Sequence, residues 1–74
     1  MAEPKLNVQK RVGSRIRELR TERGWSQTYL SVHTGMSKTY ISNVETGQKE
    51  PCLVTLEVFA QGFEMSLGEF FKPI

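Results

Sequence analysis

The chain has 74 residues, a net charge of +2, and 38% hydrophobic against 24% charged residues, the size and balance of one small folded domain. One cysteine, one histidine and no aspartate leave too little for an internal disulfide, a zinc site or a nucleophilic triad, so no enzyme, metal or cofactor is expected. No apolar run approaches the roughly 20 residues of a membrane span and the N-terminus lacks an apolar signal core, so a reducing cytoplasm is the expected compartment.

Residues 1–7 contain Pro4 and no periodicity and read as a flexible arm, leaving 8–74 as the domain. From about Val8 to Arg23 the apolar residues Val8, Val12, Ile16 and Leu19 form one helical stripe surrounded by Lys and Arg. Gly24 ends that helix. Ser26 caps a second helix, about 27–34, with Trp25 packing back from the preceding turn. Gly35 can take the positive φ of a tight turn. Ser37 caps a third helix, about 38–45, whose Ile41 and Val44 face back toward Leu30. Small Ser31 lets a neighbouring helix approach. Two short helices so joined are a helix-turn-helix, an arrangement that can present its second helix to the major groove of DNA.

After the loop 47–51, a fourth helix spans about 53–61 with Leu53, Leu56, Phe59 and Ala60 inward, and a short fifth spans about 67–71 between Ser66 and Pro73. No strand-like alternation persists. The fold class is all-α, a compact bundle of about five short helices. Cys52 is a poor cap, so helix four should begin loosely. At the joint to helix five, either Gly62 ends helix four early or Glu64 tolerates an unusual backbone conformation.

Charge is unevenly placed. Residues 1–23 carry a net +4 and residues 24–74 a net −2. The basic part suits phosphates; a solvated helix face would give the same pattern. With Ile41 and Val44 inward, Lys38, Thr39, Ser42 and Asn43 point mostly outward. Lys can donate to guanine, Asn can pair with adenine, and Thr can bond to a base edge or pack its methyl on thymine. Trp25, Phe59 and Phe70 fit the apolar stripes and read as core. His33 reads as a surface residue. The chain contains no phosphate-cradling glycine loop.

The segment RIRELRTERGWSQTYLSVHTGMSKTYISNVETGQKEP resembles the helix-turn-helix family of phage repressors, Cro proteins and small bacterial regulators, also called xenobiotic-response-element-like. The likeness runs from about Val12 to Phe71. It implies base contacts at Lys38, Thr39 and Asn43, with weaker support for Ser42. It implies phosphate binding at the start of helix two, by Ser26 and Gln27. Thr46, Gln48 and Lys49 are candidates for the other flank, with Tyr40 beside the helix and Arg15 and Arg11 on helix one. It also implies a buried ion pair between Arg20 and Glu45.

The implied partners are double-stranded DNA and a second copy of the chain, with RNA polymerase as a further contact. Adjacent helical residues differ by about 100°, so Phe70 is expected inward, and Phe71, Ile74, Leu67 and Phe63 are the candidate dimer interface. The resemblance implies a homodimeric regulator on a near-palindromic operator, similar to restriction–modification controller proteins. The alternative is an antitoxin of the same fold that neutralises a toxin and autoregulates its operon.

Overall fold

The computed structural model describes residues 4–74, with side chains from Val8 onward. Five helices follow in order: α1 Pro4–Glu22, α2 Gln27–Thr34, α3 Lys38–Glu45, α4 Leu53–Gly62 and α5 Leu67–Phe71. There is no strand among the described residues. Helix α1 begins at Pro4, within the stretch expected to be an arm, and residues 1–3 lie outside the described residues. Proline suits a first helical position, where its fixed φ is helical and its missing N–H would have had no partner.

The helix ends follow from local chemistry. Ser26, Ser37 and Ser66 each sit in extended backbone and accept a bond from the N–H three residues on. Ser66 and Glu69 complete a reciprocal capping box. Gly35 takes φ 80° and donates its N–H to Ser31, which closes α2. Cys52 occupies the cap position of α4 without making a cap bond. Its thiol lies 3.2 Å from the Thr55 hydroxyl, which draws the thiol below its ordinary pKa.

The core consists of Val12, Ile16 and Leu19 from α1, Leu30 from α2, Ile41 and Val44 from α3, Phe59 and Ala60 from α4, then Phe63 and Phe70. Helix α1 packs on α3, α2 packs on α3 and α4, and α4 packs on α5. Fully burying a large apolar side chain contributes about 1.5–3 kcal/mol, so Phe59, Phe63 and Phe70 dominate this small interior. Two stripe residues depart from expectation. Val8 is 43% exposed and Leu53 is 70% exposed. Each lies in the first turns of its helix.

Phe63 also departs from its expected place. It is buried, stacked on Trp25 at 5.7 Å and 15° between ring planes, and so contributes to the core of one chain and not to an exposed interface. The joint beyond it resolves in favour of Glu64, which takes φ 61°, while Gly62 stays helical. Arg23 and His33 hold this end, donating to the Phe63 carbonyl at 3.0 Å and the Gly62 carbonyl at 2.9 Å.

A side chain in the left-handed region costs about 1–2 kcal/mol. Part of that is recovered on replacement by glycine, less the extra chain entropy glycine loses on folding. Glu64→Gly is therefore expected to stabilise the domain by about 0.5–1 kcal/mol. Thermal unfolding should show a rise of about 2–8 °C; an unchanged or lower midpoint would show that no relievable strain resides there.

Candidate nucleic-acid interface

Helix α3 divides cleanly. Ile41 and Val44 are fully buried and Glu45 nearly so. Lys38 and Thr39 are exposed, and Ser42 and Asn43 are half-buried. These four outward residues line one shallow concavity together with Gln27, the first residue of α2. The turn at Gly35 thus brings the polar face of α3 and the start of α2 onto a common surface.

At the α2 end of that surface, the Ser26 hydroxyl accepts from Tyr29 N–H at 3.0 Å. The remaining first-turn N–H groups point along the positive end of the helix, an arrangement suited to an anion. At the other end, the Asn43 carbonyl accepts from the N–H groups of Gln48 at 2.8 Å and Lys49 at 3.1 Å. Those two bonds fix the departing backbone, while the Gln48 and Lys49 side chains remain exposed. Thr46 donates its hydroxyl to the carbonyls of Ser42 and Asn43, so its oxygen is left as an acceptor. Tyr40 is half-buried against the core.

The surface is held from below by a buried polar hub. Arg20 donates to both Glu45 oxygens, from Nε at 2.7 Å and from a terminal nitrogen at 3.0 Å. Its other terminal nitrogen donates to the Trp25 carbonyl at 2.9 Å. Gln27 Nε2 donates to Glu45 Oε1 at 3.1 Å. The Glu45 side chain is 3% exposed, so these donors replace its lost hydration. The fork of the guanidinium matches the carboxylate plane, which fixes orientation as well as distance.

Arg11 and Arg15 occupy a different face. Arg15 donates to the carbonyls of Phe70 at 2.9 Å and Glu69 at 3.2 Å and is paired with Glu18. Arg11 donates to the Ile74 carbonyl at 2.9 Å. In this structure the two guanidiniums satisfy main-chain oxygens at and just beyond the C-terminal end of α5, where cations and unpaired carbonyls attract. Leu67, Phe71 and Ile74 are half-buried against the core, less open than the exposed patch expected of them.

Several contacts were not anticipated from the residues. Gln9 Nε2 donates to the Gly47 carbonyl at 2.6 Å, tying α1 to the turn after α3. Trp25, Tyr29 and His33 form a ladder, with centroids 4.9 Å apart for the first pair and 5.7 Å for the second. Their spacing of four was the available signal.

A family model described as helix-turn-helix matches residues 16–70. The chain belongs to the helix-turn-helix family. Among its relatives is an uncharacterized HTH-type transcriptional regulator, y4dJ of Sinorhizobium fredii, 34% identical over 92% of this chain and 88% of its own length. The crystal structure of the restriction–modification controller protein C.AhdI from Aeromonas hydrophila superposes with a TM-score of 0.82 at 34% identity, over 88% of this chain and 98% of that one. A second controller protein, C.Esp1396I, solved as a tetramer with its natural 35 base-pair operator, gives 0.81 at 29% identity over 88% and 86% of the two chains.

Removing Arg20 would leave the Glu45 carboxylate buried without its charge partner, which costs about 3–5 kcal/mol, a large share of a small domain's stability. Arg20→Ala is expected to lower the unfolding free energy by about that amount in a urea titration. Replacing both residues by apolar ones of similar volume should recover part of the loss. A parent-like Arg20→Ala curve would contradict the hub's role.

Proposed function

We propose that this chain is a sequence-specific regulator of transcription that binds double-stranded DNA as a homodimer on a near-palindromic operator. The observation that carries the reading is the common surface of Gln27, Lys38, Thr39, Ser42 and Asn43, braced by a buried hub that fixes α3 against α1 and α2. Helix α3 enters the major groove. Lys38, Thr39 and Asn43 meet base edges, with Ser42 beside them. The start of α2 at Ser26 and Gln27 and the exit of α3 at Gln48 and Lys49 rest on the phosphates to either side, and the Thr46 hydroxyl joins them by turning its proton away from the Ser42 and Asn43 carbonyls. Tyr40 flanks the helix. The operator-bound tetramer of the related controller protein supports this mode.

The second copy docks through the C-terminal side of the bundle. Phe71 lines an apolar groove with Val8, Val12, Pro51 and Leu56, and Leu53 and Val54 stand largely exposed on the same chain. Leu67 and Ile74 flank Phe71 in sequence on the short helix and its exit. Apolar surface of this kind on so small a chain suits a self-complementary two-fold contact. That symmetry sets two α3 helices about 34 Å apart, one turn of DNA. The bound dimer then blocks polymerase or touches it.

Selection of bound sites from random duplex DNA is expected to return a two-fold symmetric consensus. On that site Asn43→Ala should cost about 1–3 kcal/mol and relax one position. Lys49→Ala should weaken all sequences alike and reduce the slope of log K against log salt by about 1. Arg15→Ala should leave that slope unchanged, because its guanidinium serves α5. A consensus indifferent to Asn43 would place the reading residues elsewhere.

Sedimentation tests the dimer. Phe71→Asp is expected to convert a dimer into a folded monomer. Leu53→Asp, at an exposed position, should weaken association with no loss of helical signal. Unchanged dimers in both variants would move the interface away from this side.

A further inference from the structure

Helix α1 lies unusually close to the end of α3 at one point, Gly13. A methyl group there would stand 2.3 Å from the Val44 carbonyl oxygen, 2.7 Å from the Glu45 carbonyl oxygen and 2.9 Å from the Glu45 carbonyl carbon. All three are main-chain atoms, so no flexible side chain can move aside. Gly13 is helical and outside the positive-φ positions, so its backbone conformation does not require glycine. Glycine inside a helix costs about 0.5–1 kcal/mol relative to alanine. What this position gains in return is proximity.

Gly13 does not act alone. Gln9, one turn earlier, donates to the Gly47 carbonyl just past α3, and Arg20, two turns later, grips the Glu45 carboxylate. Positions 9, 13 and 20 share one face of α1, and each meets the C-terminal end of α3. The two outer contacts are long side chains that can follow a moving partner. Gly13 is the rigid stop between them.

We propose that Gly13 is a positioning residue for DNA reading: by letting α1 seat directly on the Val44 and Glu45 carbonyls, it sets the pitch of α3 and so the height of Lys38, Thr39 and Asn43 over the base edges. The inference rests on the DNA-binding reading above. An eight-residue helix is about 12 Å long. Lifting one end by about 1 Å, the clearance a methyl needs, tilts it by about 5°. Base-edge hydrogen bonds lie in a narrow range of about 2.7–3.2 Å, so the tilt strains a bidentate contact, most of all at Asn43, the reading residue nearest the lifted end. Phosphate attraction, which is long-ranged and tolerant of angle, survives it.

The test compares affinities of Gly13→Ala for the selected operator and for a random duplex of equal length, at one salt concentration. The expected result is a fall of about tenfold or more in the ratio of the two, with random-duplex affinity and its salt slope as in the parent. Phe70→Leu serves as control, since it weakens the core from α5, which packs on α4, and leaves the Gly13 contact with the Val44 and Glu45 carbonyls unaltered in sequence; its ratio should stay at the parent's value. Gly13→Ala is also made together with Glu64→Gly, to hold the chain folded. An unchanged ratio in Gly13→Ala overturns the proposal. So does an equal fall in Phe70→Leu, which would tie the effect to stability. Failure of the double variant to fold overturns it too, because the glycine would then serve the fold alone. A parent chain that prefers no sequence would instead remove the DNA reading itself, and this inference with it.

Discussion

The Glu45 carboxylate is the constraint around which the rest is arranged. Burying an ionised carboxylate costs several kcal/mol unless its oxygens are fully satisfied. Here both oxygens are met by Arg20 from α1, and one also by Gln27 from α2, while Glu45 itself ends α3. Three helices must therefore converge with the right distances and the right plane. Apolar packing alone tolerates sliding and rotation. A bidentate pair does not, so its contribution lies in defining one geometry more than in net stability. The remaining Arg20 nitrogen holds the Trp25 carbonyl, which extends the same constraint into the α1–α2 turn.

The positive charge of the first third of the chain is divided between tasks. Arg11, Arg15 and Arg23 all donate to main-chain carbonyls, at the ends of α5, α1 and α4. Carbonyls in the last turn of a helix and just past it lack the main-chain donors of its interior, and a guanidinium supplies several donors at once. The bundle is closed at its C-terminal side by cations reaching from α1 and its end. The basic residues left for a polyanion are fewer than the composition suggests, with Lys38 and Lys49 on or beside the surface of α3 and Gln27.

Much of this fold could be read from the residues, for physical reasons that vary by element. The bounds of α2, α3 and α5 were legible because Ser26, Ser37 and Ser66 are strong local caps, and a cap acts within one turn. The stripe of α1 identified its inner face, yet Val8 is open to solvent, because periodicity gives direction and not how far the neighbouring helices extend. Leu53 fails for the same reason. Arg15 could not be placed from its neighbours: its partners lie 54 and 55 residues away along the chain. Phe63, a candidate for the interface by sequence, is instead buried, because its stacking partner Trp25 lies far away along the chain and the contact is a tertiary fact. The outward set on α3 was legible because the burial of Ile41 and Val44 determines what remains, although the half-burial of Ser42 and Asn43 was not.

Helix α4 is finished very differently at its two ends. At Cys52 no side chain caps the first turn, whereas at Phe63 the main-chain N–H finds both Phe59 and Ala60 carbonyls, and Arg23 and His33 hold the carbonyls beyond. Opening of this helix should thus start at Leu53 and lose free energy progressively toward Phe59, giving a gradient of amide exchange along a single ten-residue element. The soft end directly follows the loop that leaves α3, so the fluctuations most easily reached by this small domain begin within a few residues of Gln48 and Lys49.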